Sequence, residues 1–178
     1  LQEKFPDTDE SIQAYRDMGD IWRRLETPRK ALIAYRAYAD RIEGSEPKAS
    51  ALLRIARIYE EDLGWYDRAS ESYRELLNNA LPEYASEGQF GLARSFEKTG
   101  QPNLALREYR TYLKGFSDGA YAAEAETRIQ LLREFAPGDG PVRADGLLTL
   151  IAGLPSVASD PEAQFRLGNF LYLQRTYR

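Results

Sequence analysis

The sequence predicts an all-α fold built from antiparallel helix pairs arranged in series. Three observations predict it. A small residue among bulky neighbours recurs in Met18-Gly19-x-x-Trp22, Ile55-Ala56-x-x-Tyr59, Leu92-Ala93-x-x-Phe96 and Leu167-Gly168-x-x-Leu171. The small residues fall at 19, 56, 93 and 168, two steps of 37 and one of 75, so a degraded copy is expected near 130. A second pattern follows the first three copies: Ala31, Tyr35 and Tyr38; Ala69, Tyr73 and Leu76; Ala105, Tyr109 and Tyr112. Its i, i+4, i+7 spacing puts three residues on one helix face. Between the two patterns lie the breakers Thr27-Pro28, Gly64-Trp65-Tyr66 and Gly100-Gln101-Pro102, so each unit reads as helix, tight turn, helix.

The elements follow in order. Residues 1–8 read as the tail of a preceding unit and its link, because KFPDTDE near residue 6 matches GFSDGAY near residue 117. Complete units span 9–45, 46–81 and 82–117, the second carrying a one-residue insertion between Glu60 and Gly64. The degenerate fourth unit, 118–157, has Ile129, Gln130 and Arg133 in the first pattern. Ala144, Leu148 and Ile151 take the second, after the loop APGDGPVR, in a short helix ended before Pro155; a loop with one packing helix is the alternative. Residues 158–178 read as the first helix of a truncated fifth unit, apolar at Phe165, Leu167, Phe170, Leu171 and Leu173. Within a unit, Gly or Ala in one helix leaves room for an aromatic from the other, and the pair then offers a second face to its neighbour.

Composition narrows function. With 178 residues, 43% hydrophobic and 29% charged, the chain is long and apolar enough to bury a core. The net charge of -4 is spread without a polybasic block, so nucleic acid is not an expected partner. The longest apolar stretch, 146–158, is too short to span a bilayer and contains Pro155. Cysteine and histidine are absent, which removes thiol nucleophiles, disulfides, structural zinc and the commonest general base. No enzyme, small-molecule substrate, cofactor or metal is therefore expected. Gly138-Asp139-Gly140 lacks the strand and the Gly-Lys-Ser of a phosphate loop and reads as a turn. Glu60 with Glu61, and Glu124 with Glu126, read as solvated helix surface, while Tyr35, Tyr73 and Tyr109 hold equivalent core positions.

These small and aromatic positions resemble the tetratricopeptide repeat (TPR) family, whose units are helical hairpins of about 34 residues. The resemblance implies a right-handed α-solenoid of antiparallel helix pairs with a concave surface lined by each first helix. On that register the lining holds Asp17 and Asp20, Arg54 and Arg57, Gly91 and Arg94, Arg128 and Leu131, and Arg166 and Asn169. One step back lie Leu53, Phe90 and Phe165. The expected partner-binding groove is Arg54, Arg57, Arg94, Arg128 and Arg166 with Leu53 and Phe90, suited to a peptide or helix carrying acidic and apolar residues. The other reading of these arginines is pairing with nearby carboxylates, including Glu60, Glu87 and Glu97. Chaperone-binding relatives hold a C-terminal carboxylate at positions that here carry Arg16, Asp20, Arg54, Glu87 and Gly91, of which only Arg16 keeps the expected charge. That clamp is absent.

GFSDGAYAAEAETRI and SDPEAQFRLGNFLY are similar to links in bacterial envelope TPR proteins, such as the Tol-Pal-associated periplasmic coordinator and the repeat lipoprotein of the β-barrel assembly machine. This similarity implies a non-enzymatic protein-protein interaction scaffold in a bacterial cell-envelope assembly, periplasmic, with any lipid anchor or other membrane association supplied by parts absent from this chain. The alternatives are a cytoplasmic regulatory scaffold of the same fold, or the substrate-recruiting arm of an enzyme whose catalytic domain lies elsewhere.

Overall fold

Proline and a capping pair start four of the helices in the computed structural model, which describes residues 8–78 and 81–135. Helix α1, Asp9–Arg24, opens on Thr8, whose hydroxyl accepts from the backbone N–H of Ser11 while the Ser11 hydroxyl accepts from that of Thr8. Asp9 and Glu10 then sit in the first turn, where the helix dipole favours negative charge. Helices α2, Pro28–Arg41, α5, Pro82–Lys98, and α6, Pro102–Gly115, each begin on proline, which loses nothing there because the first helical N–H has no intrahelical partner. Helix α3, Ser45–Arg57, runs directly into a π-helical turn, Ile58–Asp62. Helices α4, Tyr66–Asn78, and α7, Ala122–Phe135, complete the set of seven, and no strand occurs among the described residues.

The turns show why these breakers break. In α1–α2 and α5–α6 the chain closes with the N–H of Thr27 on the carbonyl of Trp22 and that of Gln101 on Phe96, five residues back in both. The α3–α4 turn makes the equivalent bond from Trp65 to Tyr59, six residues back. The inserted residue of the second unit is therefore absorbed as a π turn. Gly100 and Gly64 take the left-handed backbone at φ 71 and φ 64, whereas Glu26, without a glycine's freedom, takes it at φ 53.

Each helix packs on its neighbours in sequence, and α3 also touches α5. The described residues are thus all-helical, with successive helices packed in order. Ala31, Ala69 and Ala105, the small residues of the second pattern, are fully buried, as are Tyr35 and Tyr109, with Tyr73 at 1% exposure. Close approach is visible at Gly19, where a Cβ would stand 2.6 Å from the Tyr35 ring, and at Gly91, where it would overlap the Tyr73 ring. Helix α3 is buried on two sides: Ala51 and Ile55 face the core of α1 and α2, while Leu52 and Ala56 face the larger core running to α7.

The second helix of the fourth unit, the whole of 136–178 including Arg166 and Phe165, and Leu1 to Phe5 lie outside the described residues.

Candidate functional site: an arginine and carboxylate stripe

The four candidate arginines among the described residues follow one another along successive first helices, but each is already held by a carboxylate of a neighbouring segment. Arg54 on α3 donates to Asp20 on α1 at 2.5 Å. Arg57, one turn later, pairs with Glu87 on α5. Arg94 on α5 grips Glu60 of the π turn with both Nε and Nη2, the latter at 2.7 Å. Arg128 on α7 reaches Glu97 on α5 at 3.3 Å and Glu124 of its own helix at 3.9 Å. All four arginine side chains still keep 34 to 39% of their surface exposed. They are anchored cations facing solvent.

Three of these pairs share a further donor. Tyr35 donates its hydroxyl to Asp20 at 2.5 Å, Tyr73 to Glu60 at 2.7 Å and Tyr109 to Glu97 at 2.8 Å. Each carboxylate thus receives a tyrosine from the second helix of its own pair and an arginine from the first helix of the next. The three tyrosines that the core pattern places are also polar partners of the stripe.

Glu60 departs from the solvated position expected of it and is 6% exposed. The π turn explains the difference, because its wider winding sends Glu60 inward to Tyr73 and Arg94 while Glu61 and Asp62 return to Arg23 on α1 at 3.0 and 3.2 Å. A buried carboxylate is tolerable when its charge is paired and its oxygens accept hydrogen bonds. Burial first, and then the negative charge and hydrogen bond of Glu60 or Glu97, hold the Tyr73 and Tyr109 hydroxyls well above the usual tyrosine range. The hydrogen bond that Arg94 donates to Glu60 pushes the guanidinium further up, so at neutral pH Arg94 stays a cation and Tyr73 keeps the proton it donates.

The apolar members fall elsewhere. Phe90 is 2% exposed, stacked on Tyr121 at 4.5 Å and edge-on to Tyr109 and Tyr112, and so cannot line an open groove. The link between α6 and α7 delivers Tyr121 over it. Leu53, at 9%, belongs to the same core. Leu131 on α7, 40% exposed, is the large apolar side chain of the expected lining that reaches solvent.

Beside the first cell the stripe opens into a recess of about 420 Å³ lined by Asp20, Arg23, Arg24 and Arg54. Sequence reasoning missed it, along with Arg23 and Arg24. A signal existed in the recurrence of an acid followed by arginine 34 residues later, at Asp20 to Arg54 and again at Glu60 to Arg94.

Compared with protein-family models and with curated protein sequences, the chain matches none.

Proposed function

We propose that the chain is a right-handed α-solenoid of tetratricopeptide type that serves as a non-enzymatic protein-binding scaffold in a bacterial cell-envelope assembly. It takes an acidic and apolar partner segment on the concave side formed by α1, α3, α5 and α7. The observation carrying this reading is that Arg54, Arg57, Arg94 and Arg128 are fixed across successive first helices yet remain about one-third exposed. A guanidinium whose rotamers are already restrained loses less freedom on meeting a partner carboxylate, and its remaining N–H groups can still form charge-assisted bonds. Leu131 supplies an apolar contact at the α7 end. Among the described residues no helix is long and apolar enough to cross a membrane.

The test is capture from solubilised native envelope membranes, identified by mass spectrometry. Replacing Arg57 and Arg128 together by Gln should reduce recovery of the specific partner at least about tenfold with unchanged helix content, whereas Arg110→Gln on the exposed side of α6 should not. Undiminished capture by the double variant would remove the stripe from the binding face.

A further inference from the structure

Hydrogen-bonding capacity is unevenly distributed along the stripe. Arg94 commits both Nε and Nη2 to Glu60, Arg57 commits both to Glu87, and Arg23 places its Nε and Nη2 on Asp62 and Glu61. Arg54 differs, giving only Nη1 to Asp20 and, at 3.5 Å, to the Tyr35 hydroxyl, which leaves its Nε and Nη2 without a partner among the described residues. Arg24 is exposed and pairs with no carboxylate among the described residues. Both unfilled guanidinium groups line the same recess.

Resting on the concave-binding reading above, we infer that the recess between α1 and α3 takes one carboxylate side chain of an acidic partner segment, gripped by Arg24 and Arg54. The unfilled donors select the ligand. Arg23, Arg24 and Arg54 are balanced in sum by Glu61, Asp62 and Asp20, yet the exposed Arg24 and the Nε–Nη2 edge of Arg54 remain as unused charge-assisted donors. A planar, singly charged carboxylate fits that edge. A phosphate dianion would meet stronger repulsion from Asp20, which Tyr35 and Arg54 hold at the recess wall. The space of about 420 Å³ admits a glutamate or aspartate side chain with part of its backbone and leaves the rest of the segment to run along the stripe. The Arg54 guanidinium already lies over the Tyr35 ring at 5.7 Å, which restrains it before the ligand arrives.

The experiment titrates the whole 15N-labelled chain with an amidated hexaglutamate peptide, a hexaglutamine peptide and inorganic phosphate, reading the arginine Nε–Hε resonances. Those of Arg24 and Arg54 should move saturably with hexaglutamate and stay still with hexaglutamine or with phosphate at equal concentration. Arg24→Gln should weaken hexaglutamate binding by about fivefold while Arg110→Gln leaves it unchanged; because Arg24 is exposed and unpaired, the fold should survive the change. Still resonances at Arg24 and Arg54, or equal movement at Arg110, would overturn the assignment. Movement confined to Arg57, Arg94 and Arg128 would overturn the recess while leaving the wider binding reading intact. Failure to capture any envelope partner despite a normal recess titration would overturn the wider reading alone.

Discussion

Tyr73 on α4 donates its hydroxyl to Glu60 at 2.7 Å, and the same carboxylate is gripped from the other side by Arg94. That one contact joins a core position of the second unit to the π turn that precedes it and to the first helix of the third. The cell around Tyr35, Asp20 and Arg54 repeats the arrangement in a wetter setting, with Asp20 35% exposed against 5% for the Glu60 side chain.

The contrast predicts unequal consequences. Arg94→Ala leaves a buried carboxylate with one partner removed and should destabilise by about 3 kcal/mol, whereas Arg54→Ala at the exposed cell should cost about 1 kcal/mol or less. Tyr73→Phe, which removes a hydrogen bond to a charged group, should fall between them at about 2 kcal/mol. Urea midpoints check the order, and equal losses at Arg94 and Arg54 would show that burial of Glu60 does not matter.

Alkaline pH should weaken the fold through the same tyrosines. Tyr73 and Tyr109 ionise near the ordinary value of 10.0 in the unfolded chain but hold their protons to higher pH when folded. Their contribution is therefore complete below pH 10 and is lost as pH rises beyond it, because the folded state then binds more protons than the unfolded one. Denaturant midpoints measured from pH 8 to pH 11, with Tyr73→Phe and Tyr109→Phe together, test this. The double variant should show a shallower alkaline decline, and an unchanged slope would refute the linkage.

Glu26 offers a stabilising substitution. It occupies the left-handed backbone at φ 53 in the α1–α2 turn, where the α5–α6 turn places Gly100 at φ 71. Relieving about 1 to 2 kcal/mol of left-handed strain, less about 0.5 to 1 kcal/mol of extra glycine entropy, predicts a gain of about 0.5 to 1 kcal/mol for Glu26→Gly. A lower melting temperature in this variant would mean that the Glu26 side chain does something the turn geometry does not reveal.

The helix contacts predict the opposite sign for added bulk. Ala69 and Ala105 are 0% exposed, and Leu at either should destabilise by about 1 to 3 kcal/mol. Ala123, exposed near the start of α7, should accept Leu with little change. Ala122 is a poorer control than its neighbour because it packs against the core. Thermal melts of the three variants should separate the two buried sites from the exposed one.

The helices were legible in the sequence because their signals are local. Pro28, Pro82 and Pro102 start three of them, and alanine and tyrosine at i and i+4 mark the buried face of α2, α4 and α6. The site was less legible, because its chemistry joins residues more than thirty apart. Counting along α5 puts Phe90 beside the lining, yet Tyr121 arrives from the α6–α7 link to cover it, and no periodicity within α5 carries that information. Glu60 sits among acids that read as surface. The insertion after it was visible as an extra residue, but its effect depended on whether the backbone looped out or widened into a π turn, and only the latter turns Glu60 inward.

Which face meets the partner is most directly measured by placing a photo-reactive benzophenone side chain at single positions and cross-linking in intact cells. Position 131 on the stripe, where Leu131 is already exposed, and position 110 on the exposed side of α6 make the decisive pair. A scaffold that binds through its arginine stripe should yield a discrete cross-linked envelope protein from position 131 and none from position 110. The same protein cross-linked from 110 and absent at 131 would place the partner on the opposite face and contradict the proposed function.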